Sequence, residues 1–181
     1  MRSIQRCPNG HSNSGLVVGP TKALLCVLAL TACSSAFAED DHIIVDAGLG
    51  IFSTEGKNLS QGKFAKFGLQ QDIWYNLKQR YNVGAWLDSR DQQYKSSAFA
   101  GYQLGFQVDN DTYESSVFFG PNLITTPDAA LGGHFQFNLS IFFGIKDRDG
   151  NAIGFGYNHF SSAGIEMPNL GRDYGCLEIK F

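Results

Sequence analysis

HFQFNLSIFF, residues 134–143, alternates without a break. Phe135, Phe137, Leu139, Ile141 and Phe143 fall on one side of an extended chain; His134, Gln136, Asn138 and Ser140 fall on the other. Period two over ten residues is a strand signal. The same reading gives strands near 42–51, 63–77, 80–88, 97–107, 112–120, 152–161 and 173–181, eight in all. About ten residues is the length a tilted membrane-crossing strand needs. The faces opposite the apolar rows carry Asp46, Asp72, Asn76, Gln103, Gln107, Glu114 and Asn138, too polar for a dry soluble core. Aromatic residues are abundant, and the chain ends Leu-Glu-Ile-Lys-Phe, like the closing strand of an outer-membrane barrel. The fold class expected is therefore all-β, an eight-stranded antiparallel transmembrane β-barrel. A secreted sandwich is the competing architecture.

The N-terminal segment reads differently. Arg2, Arg6 and Lys22 form a basic leader, residues 23–30 are apolar, and Ala36-Phe37-Ala38 is a small-x-small cleavage signature. Residues 1–38 are expected to be a cleaved signal peptide, with 39–181 as the single barrel domain. Leu30-Thr31-Ala32-Cys33 also reads as a lipoprotein box, a second way of processing the same segment. The remaining 143 residues hold all 17 acidic side chains and 11 of the 14 basic ones, a net charge of −6. No basic patch stands out, which argues against nucleic acid as a partner. Cys176 is the one cysteine left in that domain, so an internal disulfide has no partner and a closed sheet must supply stability another way.

Topology sets the orientation. Barrels of this kind have periplasmic termini, short periplasmic turns and longer external loops. Asp147-Arg148-Asp149-Gly150 then forms a tight inner turn between the sixth and seventh strands. Residues 162–172, with Gly164, Pro168 and Gly171, form an external loop between the seventh and eighth.

In the seventh strand the apolar row Ile153, Phe155, Tyr157 runs on into His159 and Ser161. In the eighth, read back from the end, Phe181, Ile179, Leu177 and Gly175 run on into Asp173. These strands are antiparallel neighbours, so His159, Ser161 and Asp173 are expected to converge on the outer wall near its external rim. Any one of them alone reads as an interfacial residue where barrel meets water. Together they supply a nucleophile, its base, and a carboxylate that orients the base. A metal held by His159, Glu166 and Asp173 is conceivable, but no close-set ligand motif supports it. Asp88, Asp91, Asp109 and Asp111 read as solvated loop acids rather than a calcium site. Cys176 reads as inward and packed.

Residues 159–165, His-Phe-Ser-Ser-Ala-Gly-Ile, followed by Pro168-Asn169-Leu170-Gly171-Arg172-Asp173, resemble the signature of the lipid A 3-O-deacylase (PagL-type) family. That motif reads His-aromatic-Ser-Asn-Ala-Gly, then Pro-Asn-x-Gly-x-acid. The resemblance implies an eight-stranded outer-membrane esterase acting on lipid A of lipopolysaccharide, with no cofactor. It implies Ser161 as nucleophile, His159 as base and Asp173 as acid. Gly164, by its N–H, and Asn169, by its amide, would stabilise the oxyanion. Acyl chains would lie along Phe155, Tyr157 and Leu177. Ser162 stands where the family has Asn, and Asp173 where it commonly has Glu. The shorter carboxylate must therefore sit closer to His159 Nδ1. A non-enzymatic barrel, an adhesin or structural protein, is the alternative from another class, and so is an inactive relative. A homodimer is left open.

Overall fold

The computed structural model describes residues 41–52, 62–88 and 95–181. The expected signal peptide, the cleavage site, Cys33 and Asp91 lie outside the described residues. Eight strands follow in order: β1 (His42–Phe52), β2 (Lys63–Trp74), β3 (Leu77–Leu87), β4 (Ser97–Asp109), β5 (Tyr113–Ile124), β6 (Phe135–Lys146), β7 (Ala152–Ser161) and β8 (Arg172–Lys180). Each pairs antiparallel with the next, and β8 returns to β1, so the sheet is a closed barrel. Closure removes both edges, which would otherwise expose unpaired backbone groups.

Several strand boundaries differ from the sequence expectation. The apolar row through Ile73, Tyr75 and Leu77 extends the second strand to 77, whereas the chain turns at Tyr75 and Asn76. Tyr75 adopts φ 44°, a left-handed conformation uncommon for a residue with a side chain. Leu77 belongs to β3, opposite Trp74. β5 also runs past its expected end, through Pro121 to Ile124. The β4–β5 pairing passes from Gly101↔Asn122 to Leu104↔Phe119 without a pair at Pro121, whose nitrogen has no proton to donate.

The connections alternate in length. Two, three and five residues join β2–β3, β4–β5 and β6–β7 at one end. Nine or ten join the other consecutive pairs at the opposite end. In the β6–β7 turn the Asp147 carboxylate accepts the Asn151 side-chain amide at 2.9 Å, with the N–H groups of Asn151 at 3.0 Å and Asp149 at 2.9 Å. These donors, the Asn151 amide first, hold its carboxyl below the usual aspartate range.

Side chains alternate as the sequence predicts. The outer rows present Val83, Leu104, Phe106, Phe119, Phe143, Phe155 and Leu177. The interior is filled, as an eight-stranded barrel requires. Its half nearer the short turns is polar. Asp46 and Lys66 sit directly opposite each other on β1 and β2 and meet at 2.7 Å, both side chains wholly buried. Lys66 also donates to Asn158 Oδ1 at 2.8 Å and Ser140 Oγ at 3.2 Å. Arg80 bonds Glu178 at 3.2 Å and lies 4.1 Å over the Phe118 ring. Lys180 pairs with Glu114. Cys176 faces inward and is buried, as expected. The half nearer the long loops is aromatic: Phe64, Trp86, Phe99, Phe160 and Tyr174 pack together. Phe64 stacks on Tyr174 at 4.7 Å, and Phe160 meets Phe99 edge-on at 4.9 Å. Such pairs stabilise by about 0.5–1.5 kcal/mol each beyond their buried area. Phe160 and Tyr174 thereby anchor β7 and β8 from inside, one residue from His159 and Asp173 on the outer face.

Candidate active site

The β7–β8 register places His159 directly opposite Asp173. Directly opposed residues have Cβ atoms about 4.5–5.5 Å apart. A short carboxylate can span that gap, and Asp173 Oδ1 lies 2.8 Å from His159 Nδ1. Because the carboxylate accepts, the proton of that bond is on Nδ1, and in the neutral ring Nε2 is then the acceptor nitrogen. Asp173 is nearly covered, while the imidazole is about one-third exposed. The hidden acid and accessible base match a base that must reach a substrate.

Ser161 ends β7 on the same row, two residues beyond His159 and opposite Phe137 of β6. Among the described residues no hydrogen bond joins Ser161 Oγ to the imidazole. Such bonds commonly tighten only when substrate binds. The Nε2 side of the ring lies against Gly171. A Cβ there would sit 2.8 Å from His159 Cε1 and 3.6 Å from Nε2. Gly171 also has φ +75°, a conformation that glycine adopts at little cost.

The loop after Ser161 turns sharply. Ala163 and Gly164 both have positive φ, 52° and 80°. Ser162, buried, organises the turn: its Oγ donates to Glu166 O at 2.7 Å, and its carbonyl accepts Ile165 N–H at 3.0 Å. Serine here thus bonds the turn through both its hydroxyl and its carbonyl. Asn169 Oδ1 accepts the Ser162 N–H at 2.8 Å, which leaves its Nδ2 hydrogens to donate elsewhere. Gly164 N–H donates no hydrogen bond among the described residues, and the space beside its Cα is open. Two donors are thus available on the loop that follows the serine.

A second loop braces this one. Ala130 O, in the β5–β6 connection, accepts N–H from Leu170 at 2.9 Å and from Gly171 at 3.3 Å. Arg172 bonds Asp88 at 3.2 Å, pairs with Asp128, and stands 5.5 Å over the Trp86 ring. Three connections are therefore tied together at the residue preceding Asp173. This brace escapes a reading of the sequence, where Asp88 stands as a solvated loop acid. Asp109, read the same way, pairs with Lys146, while Asp111 is exposed. Glu166 does not join His159 and Asp173 as a third ligand: its carboxylate lies against Gly133. Tyr157 carries an unexpected bond, donating its hydroxyl to Asp173 Oδ1. The signal was present in the register, since Tyr157 is the diagonal neighbour of Asp173 on the same face. Phe155 and Leu177 stand opposite each other on that face, farther from the loop end. Of the sequence-predicted residues, His159 and Asp173 are in contact, Ser161 shares their face, and Gly164 and Asn169 lie on the adjoining loop.

Fold and face together define a closed eight-stranded barrel with a histidine–carboxylate pair on its outer surface. Residues 63–179 match the lipid A 3-O-deacylase (PagL) family, and the chain belongs to it. A lipid A deacylase PagL of Bordetella bronchiseptica is 46% identical over 46 residues, 25% of this chain and 26% of that protein. The chain thus aligns with about a quarter of that relative's length. The crystal structure of the outer membrane enzyme PagL is similar, with TM-score 0.62 and 18% identity over 77% of this chain and 98% of that one. Neisserial surface protein A is similar too, with TM-score 0.55 and 12% identity over 78% of this chain and 96% of that one. At these identities the two structures show the fold alone.

Proposed function

We propose that the protein is an outer-membrane esterase that removes the ester-linked 3-O acyl chain from lipid A. Residues 1–38 would be removed on export, and the long loops would face the cell exterior. The observation that carries this reading is the 2.8 Å His159–Asp173 bond on the outer face, next to the end of the strand bearing Ser161. Family membership supplies the substrate class. A dyad on a barrel wall needs no deep pocket, because a lipid lying beside that wall is already at hand.

Ser161 Oγ attacks the ester carbonyl while His159 Nε2 takes its proton. Asp173 holds the imidazole in the Nδ1–H tautomer and stabilises its charge. The oxyanion accepts from Gly164 N–H and Asn169 Nδ2. On collapse, the imidazolium protonates the departing sugar 3-oxygen, leaving the acyl group on Ser161. Water, deprotonated by His159, then attacks that ester and releases the hydroxy fatty acid. Phe155, Tyr157 and Leu177 provide the apolar bed for the chains.

The test is expression in a Gram-negative host that lacks such an enzyme, with lipid A read by mass spectrometry. The expected spectrum shows loss of one 3-hydroxyacyl chain and recovery of the free acid. Unchanged lipid A beside a folded, inserted barrel would refute the esterase reading and favour a non-enzymatic barrel.

Gly171→Ala is expected to lower kcat by roughly 10- to 100-fold, because the added methyl displaces the imidazole. Kinetics on detergent-solubilised, folded protein check this; wild-type kcat would show that the imidazole does not depend on this contact.

A further inference from the structure

We propose that Tyr157 is a positioning residue for the triad acid, acting through Asp173 rather than serving only as part of the acyl-chain bed. The inference rests on the esterase reading. Tyr157 hydroxyl and His159 Nδ1 both donate to Asp173 Oδ1. Two donors converging on one oxygen restrict rotation of the carboxylate about its Cβ–Cγ bond. With the imidazole alone, the carboxylate could turn to offer its other oxygen or swing toward solvent.

The local sequence makes the contact available. Tyr157 stands opposite Gly175, which brings no side chain of its own across from the phenol, and Ile51 packs on the far side of that glycine. The ring can lean along the strand direction to its diagonal neighbour Asp173. Its half-buried placement on the outer row leaves one ring face for an acyl chain and the hydroxyl for the acid. Tyrosine suits this double use, because its body is apolar and its tip donates a hydrogen bond. A longer acid would carry its carboxylate farther from the β8 backbone. The Tyr157 contact therefore suits the aspartate found in this chain.

The experiment is a double-mutant cycle of Tyr157→Phe with Asp173→Ala, measured with purified lipid A in detergent. The gel shift between boiled and unboiled samples establishes that each variant is folded. Tyr157→Phe keeps the ring and removes the donor. It is expected to lower kcat about 10- to 100-fold with KM unchanged, the range expected for losing a hydrogen bond to a charged group. In the Asp173→Ala background the same substitution should cost nothing further, because its partner is already gone. An equal fold-loss in both backgrounds would overturn the proposal and make Tyr157 a structural residue. A raised KM with unchanged kcat would overturn it too, making Tyr157 an acyl-chain contact only. If wild type and Tyr157→Phe are equally active, this inference alone fails. If folded wild type does not deacylate lipid A, the esterase reading fails and this inference falls with it.

Discussion

Ser161→Ala is expected to abolish deacylation, with kcat falling on the order of 10⁵-fold while the barrel remains folded. A serine hydrolase stripped of its nucleophile retains only the contribution of substrate positioning and oxyanion donors, which leaves losses of this size. The substitution removes one oxygen from a side chain at the end of β7. It disturbs neither the Phe160–Phe99 contact beneath the strand nor the Ser162 hydrogen bonds in the following turn. Stability should therefore hold. Lipid A mass spectrometry of cells carrying this variant should match that of cells carrying no barrel. Deacylation persisting within 10-fold of wild type would remove Ser161 from the chemistry.

Lys66→Ala should produce the largest loss of stability. Asp46 faces Lys66 on β2 and Glu178 on β8, directly opposite in both registers. Lys66 supplies the cation beside Asp46 and also bonds Asn158 and Ser140. Removing it leaves two carboxylates across from one another in the barrel interior, with Arg80 as the cation paired to Glu178. Breaking one side of a buried pair costs about 3–5 kcal/mol, whereas replacing both partners by apolar groups is far milder. Urea unfolding of the refolded barrel should show Lys66→Ala destabilised by about that amount, and Asp46→Leu with Lys66→Met much less. A single variant as stable as wild type would mean that the interior network does not support the barrel.

The architecture was readable because the outward row of each strand is mostly apolar at every second position, over nine to thirteen residues. Counting odd positions along residues 152–181 was enough to bring His159 and Asp173 onto one face. The turn at Tyr75 was hidden because the apolar row runs through it without glycine or proline. The polar part of the interior was recognisable, but its pairs and the aromatic cluster above it were not. Arg80 meets Glu178, 98 residues away, only because the sheet closes on itself. The brace at Arg172 was hidden for the same reason, since it joins three connections that are remote in sequence. The role of Ser162 depended on backbone geometry: a serine oxygen reaches Glu166 O only in the sharp turn set by Ala163 and Gly164.

In the proposed esterase, Ser161, activated by the His159–Asp173 pair, is the nucleophile on the outer wall. The most direct test of that role is labelling of the folded protein with a fluorophosphonate, followed by peptide mass spectrometry. Wild type should form one adduct, on Ser161, and His159→Ala should form none. An adduct on another serine, or no adduct in a preparation that deacylates lipid A, would contradict that role.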